Sequence, residues 1–219
     1  MKKLLIAFIV LFGVYQLNAQ EVLVLQDGYH KHDGFYLSMN TGPVFGNVFS
    51  NDKSYSSPNT MDMSGPGAVI DFKIGGAIRE NLILHADIIS NAVVGPTIIS
   101  TGNINPPKVK APQTLSVGEE MYGVGITYYI MPSNILLSGT LGLGSFSIID
   151  SKNDNNNVIT DRGFSMQLKL GKEWWVSKNW GLGVGLTYGS TNVTNKPDNG
   201  STEEISSNRF GILFNTTFN

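Results

Sequence analysis

From Ser207 to Asn219 the side chains change character at every step. Phe210, Ile212, Phe214, Thr216 and Phe218 alternate with Arg209, Gly211, Leu213, Asn215 and Thr217. A period of two is the signature of a strand, because successive side chains point to opposite faces. One face here is aromatic and aliphatic, and the other is mostly small or polar. Such a strand belongs either to a soluble sandwich or barrel or to a sheet that separates grease from a wet interior, and the rest of the chain must decide between them.

The N-terminus narrows the choice. Met1 to Ala19 carries Lys2 and Lys3, an apolar run from Leu4 to Val14, and Gln16, Leu17, Asn18 and Ala19 as a small-residue cleavage region. This is the layout of a secretory signal, and the run falls short of the roughly 20 apolar residues a spanning helix needs. The chain therefore divides into a signal over 1–19, a mature N-terminal segment over 20–33 beginning at Gln20, and a β domain over 34–219. Within the segment, Val22 to Leu25 reads as a short strand. The absence of cysteine excludes a lipidated mature terminus, disulfides and thiolate metal sites. Removing Lys2 and Lys3 takes the formal charge from −2 to −4. With its basic residues scattered, such a chain is no nucleic-acid binder.

Alternation recurs through the β domain. Gly34 to Gly46 sets Phe35, Leu37 and Met39 against Tyr36, Ser38, Asn40 and Gly42. Gly67 to Ile78 sets Ala68, Ile70, Phe72 and Ile74 against Val69, Asp71, Lys73 and Gly75. Strands over Leu82–Val93, Val117–Ile130, Ile135–Phe146, a segment from Phe164 and one from Trp180 complete the set with the terminal strand. Between them, four long polar stretches, 47–64, 95–116, 150–161 and 189–206, alternate with short turns at Arg79–Asn81, Met131–Asn134 and Ser177–Asn179. About eight strands, each long enough for the ~9–11 residues of a tilted membrane strand, predict an all-β fold: an eight-stranded antiparallel up-and-down transmembrane barrel. The 25 glycines suit its crowded interior. Short turns and both termini belong on the periplasmic side, long loops outside. Tyr128, Tyr129, Trp174, Trp175 and Trp180 flank the short turns and, with Phe218 in the last strand, are expected to form an interfacial aromatic girdle.

Charged and amide residues within the strands fall opposite the apolar face. Asp71, Lys73, His85, Asp87, Gln167, Lys169 and Arg209 are expected to line the lumen as one polar network, pairing across an interior barely wider than they are. His85 with Asp87 has the look of half an acid–base site, but both lie just past the Arg79–Asn81 turn, away from extracellular substrate, and no strand offers a matching His-x-Ser arrangement. No catalytic, cofactor or metal site is assigned. Asp150, Asp154 and Asp161 match a calcium loop poorly, since Lys152 and Asn155 stand where a ligand and a glycine are needed.

The whole mature chain resembles the small outer-membrane β-barrel superfamily that includes OmpX, OmpW and the OmpA barrel. The resemblance is carried by Asn18-Ala19-Gln20, GFYLSMNTGPVFG at 34–46, YYIMPSNILLSGTLGLG at 128–144, GKEWWVSKNWGLGVGLTYG at 171–189 and the aromatic last strand. The sequence departs from that pattern in ending on Asn219 after Phe218. The resemblance implies a monomeric, non-enzymatic protein of the Gram-negative outer membrane without cofactor. Its partners would be membrane lipid and lipopolysaccharide, the barrel-assembly machinery, and an extracellular ligand or surface partner met by the loops. Adhesion, surface interaction or envelope integrity fits best. The alternatives are a narrow pore or transporter for small apolar solutes, and a soluble periplasmic lipocalin-like barrel with its apolar face inward.

Overall fold

A computed structural model describes residues 31–53, 59–101, 108–152, 157–196 and 202–219. The expected signal, the cleavage before Gln20, the strand at Val22–Leu25 and Asp154 lie outside these residues. Among the described residues eleven strands form one sheet: β1 (Phe35–Asp52), β2 (Asn59–Arg79), β3 (Leu82–Val94), β4 (Thr97–Thr101), β5 (Lys108–Lys110), β6 (Leu115–Ile130), β7 (Ile135–Asp150), β8 (Val158–Ile159), β9 (Gly163–Trp175), β10 (Trp180–Asn195) and β11 (Glu203–Phe218). Eight of them close a ring in the order β1, β11, β10, β9, β7, β6, β3, β2, every neighbour antiparallel. The short β4 and β5 extend β2 outward, and β8 pairs with β7.

Register around the ring shows the tilt. From Ser38 the cross-strand partners run Lys73, Asp87, Gly123, Gly142, Ser165, Thr191 and Ser207, and return to β1 at Val48, ten residues above the start. An eight-stranded sheet closing with that offset has strands tilted by about 35–45° and an interior just wide enough for side chains.

The outer wall is apolar. Met39, Ile70, Leu84, Val124, Leu141, Leu168, Leu186 and Phe214 are exposed, while their immediate neighbours in sequence are buried or, at Gly123 and Gly142, half-buried. So broad an exposed apolar band needs hydrocarbon around it, which sets aside the lipocalin-like arrangement with its apolar face inward.

Strands run further than their hydrophobic pattern. The expected loop at 47–64 is largely ladder, with β1 and β2 paired up to Asp52 and Asn59. Likewise β10 and β11 pair up to Asn195 and Glu203, and the proline-containing stretch 95–116 holds β4 and β5. Beyond the apolar band the outward face no longer meets lipid, so it carries polar residues such as Asn47, Asn51, Asn192 and Ser206, and the contrast between faces fades although the backbone pairing continues.

The short turns use Asn81 and Asn134 at φ 65° and 53°, the left-handed conformation that asparagine tolerates better than most residues.

Candidate functional site

The lumen is the candidate site, and it is filled in tiers. At the turn end, Tyr36, Ile83, Tyr129 and Leu136 pack into an apolar floor. His32, from the segment ahead of β1, is wholly buried against it. Its ring stacks on Tyr129 with centroids 3.5 Å apart, lies 4.9 Å from Trp175, and hydrogen-bonds Asn134 Oδ1 at 3.0 Å. The backbone N–H of His32 donates to Asn81 Oδ1 at 3.4 Å, so both left-handed turn asparagines hold the same residue. Burial keeps the His32 imidazole pKa below its ordinary value, against smaller upward pulls from Asn134 and Glu173. Glu173 sits beside this floor, and its Oε1 accepts from Tyr129, Asn215 and Thr217 at 3.1, 2.7 and 2.9 Å.

Above lies the main polar tier. Lys73 Nζ donates to Asp87 Oδ2 at 2.5 Å and lies 3.5 Å from Asp71. His85 Nδ1 pairs with Asp87 Oδ1, and Nε2 hydrogen-bonds Thr127, which continues to Ser138 at 2.8 Å. Thr140 donates to Asp87, Gln167 to Asp71 at 3.0 Å, and Lys169 to Asn40 at 2.5 Å. Every side chain of this group is buried. An Asp–His–hydroxyl array normally suggests nucleophilic chemistry, but here all three groups are buried between the apolar floor and the apolar tier above.

Next comes an apolar tier of Val44, Val69, Ile89, Met121 and Leu213. Over it Arg209 pairs with Glu119, whose carboxylate also accepts from Thr191 and from Ser207 at 2.9 Å, while Thr191 hydrogen-bonds Ser165. A last apolar tier of Val48, Met63, Val117, Phe146, Val193 and Ile205 closes the loop end.

Glycine makes room for these long side chains. A Cβ on Gly189 would lie 2.5 Å from Arg209 Cζ, and one on Gly125 would lie 2.5 Å from His85 Cε1. Each polar group therefore lies over a bare stretch of the neighbouring strand.

All seven residues expected in the lumen are inside, but they are not one network. Asp71, Lys73, His85, Asp87, Gln167 and Lys169 gather in the main tier, and Arg209 stands apart in the upper one. Sequence reasoning missed Glu119, in the upper tier, and Glu173, beside the floor. Both share the parity of inward neighbours, Glu119 with Gly123 and Thr127, Glu173 with Lys169 and Gly171, and counting by twos would have found them.

The girdle needs correcting too. Tyr128 and Trp180 are exposed and Trp174 and Phe218 half-buried, all on the outward parity. Tyr129 and Trp175 are buried, inside the floor with His32. Adjacent residues on a strand cannot both face lipid, so only one of each aromatic pair could belong to a girdle. A second aromatic row, not foreseen, rings the loop end, where Phe45, Tyr122, Phe164 and Phe210 are exposed beside Tyr188.

The geometry has known counterparts. The chain is similar to the Neisserial surface protein NspA, with a TM-score of 0.51 and 14% identity over 84% of this chain and 96% of that one. The fold is that of the small outer-membrane barrels. It is also similar to OprG of Pseudomonas aeruginosa (TM-score 0.48, 11% identity, 85% of this chain and 97% of that one) and to the protease OmpT of Escherichia coli (0.44, 11%, 85% and 97%). No family model matches the sequence, and no curated protein matches it.

Proposed function

We propose that the protein is a non-enzymatic, closed barrel of the Gram-negative outer membrane, exported on its N-terminal signal, that serves surface interaction or envelope integrity through its outward hairpins. One observation carries this reading: apolar and hydrogen-bonded tiers alternate along the lumen, so the described residues leave no continuous wet path between its ends. An ion would have to shed water at the tier of Val44 and Leu213, and a small apolar solute would have to pass between Arg209 and Glu119, both of which burial makes costly. The paired strands that rise past the loop-end aromatic row offer a rigid surface outside the bilayer, the part of the molecule free to meet partners.

Planar-bilayer recording of the purified, folded protein tests the closed lumen. Little or no steady conductance is expected at moderate voltage. Stable, large single-channel steps would overturn this reading in favour of the pore.

A further inference from the structure

Ahead of β1, residues 31–34 are described, and among them only His32 is buried; Lys31, Asp33 and Gly34 are exposed. The carbonyl of His32 accepts from the Asn81 N–H at 2.8 Å, and its own N–H donates to Asn81 Oδ1 at 3.4 Å. Lys31 reaches Glu80 at 3.4 Å, but both side chains are half in water, where such a pair contributes little. One turn asparagine and one imidazole therefore hold this segment to the barrel. The ladder proper begins at Gly34, whose carbonyl accepts from the Ala77 N–H at 2.9 Å and which has open space around it. The segment can lift off up to that point without disturbing β1.

The seat of the ring is made for a neutral imidazole. Asn134 presents Oδ1, an acceptor, so Nε2 carries the one ring proton, and Nδ1 has no hydrogen-bond partner. Tyr129 lies flat against one face and Trp175 leans on the ring at 4.9 Å. The titratable groups that face it are Glu173 and Tyr129 across the floor and Asp33 on the segment itself. Burial is the strongest influence and keeps a second proton off the ring, against smaller pulls toward it from Asn134, Glu173, Asn219 and Asp33. A proton taken up by the free segment must be shed before the ring can reseat.

We propose that residues 31–33 form a strap across the periplasmic floor, buckled by the neutral His32 ring and released when that ring takes up a proton. Release opens a cup of Tyr129, Trp175 and Glu173 to the periplasm. The proposal rests on the outer-membrane reading only for the side on which the cup opens.

Hydrogen exchange on the folded protein in detergent, from about pH 8 to pH 5, tests the strap. Protection of the Asn81 amide, which bonds the His32 carbonyl, falls by up to tenfold for each pH unit below about 6.5, while amides within the β2–β3 ladder keep theirs. In His32→Phe, whose ring cannot titrate, Asn81 protection is the same at every pH. His32→Gly leaves the seat empty of its ring. Free imidazole then binds there at about millimolar concentration at the alkaline end, read from Trp175 fluorescence, and at least tenfold more weakly at the acid end. Folding of each variant is read from its gel mobility before and after boiling. Constant Asn81 protection in the parent, a matching pH dependence in His32→Phe, loss of protection along the whole ladder, or imidazole binding that is absent or alike at both ends overturns the strap. A parent that never inserts into vesicles would instead defeat the outer-membrane reading and leave the exchange result standing.

Discussion

The two polar tiers of the lumen solve one problem in different ways. In the upper tier a single cation meets a single anion, with Arg209 on Glu119 and the hydroxyls of Thr191 and Ser207 donating to the same carboxylate. In the lower tier Lys73 lies between Asp71 and Asp87, and Asp87 is shared with His85 and Thr140. One tier is a pair and the other a shared network. A buried charge that loses its only partner is far more costly than one that keeps a second, so the tiers should differ in tolerance although both are equally hidden from water.

The largest effect is therefore expected from Glu119→Gln, which strands the Arg209 guanidinium. Urea-dependent folding into lipid vesicles should show a loss of about 3–5 kcal/mol. The double variant Glu119→Gln/Arg209→Met should recover much of it. Equal loss in single and double variants would mean the pair is not what holds the tier.

Neighbours on β9 test the wall on which both tiers depend. Leu168 is 53% exposed to the outside and Gln167 is buried beside Asp71. Leu168→Arg should cost roughly 2–4 kcal/mol near the midplane. Gln167→Arg should be milder, since Asp71 Oδ1 has no hydrogen-bond partner and can accept the new cation. The reverse ranking in the same vesicle assay would turn the barrel inside out.

Smaller still should be Asp71→Asn, at about 1 kcal/mol, because Lys73 keeps its bond to Asp87. A loss as large as that of Glu119→Gln would erase the distinction between pair and network.

The mildest effect lies below both tiers, at His32. Its folded-state pKa is lowered by burial, so the unfolded segment takes up the proton more readily. The stability of the floor is full above about pH 6.5 and declines as pH falls below it. Trp175 fluorescence should report the loosening, and His32→Phe, which keeps the stack on Tyr129 but cannot titrate, should flatten the profile.

The contrast between the tiers also marks what could be read in the sequence. Lower-tier residues announce themselves, since Asp71, Lys73, His85 and Asp87 interrupt strands whose other face is plainly apolar. Glu119 lies near the loop end of β6, where the outward neighbours Gly118 and Glu120 give no such contrast. Arg209 shares the inward parity of the lower-tier residues, and parity alone predicts one polar network where the structure has two tiers. The ten-residue offset at closure separates them, and that offset is a property of the ring, invisible in any single strand. Tyr129 shows the opposite failure. Alternation from Tyr122 to Tyr128 puts it inside, and only its place beside a turn makes it look interfacial. His32 had no signal at all, because its partners Tyr129, Asn134 and Trp175 are around a hundred residues or more away and meet it only after the sheet closes.

That closure has a consequence for timing. The seam of the ring joins β1, the first of the described strands, to β11, the last of them, and its ladder runs from Leu37 opposite Phe218 to Asp52 opposite Glu203. Until residue 218 exists, β1 and β10 each present an open row of amides and carbonyls, which hydrocarbon does not tolerate. The barrel therefore cannot enter the bilayer strand by strand from its N-terminal end. It must wait, whole and unfinished, until its final strand arrives to complete the circle.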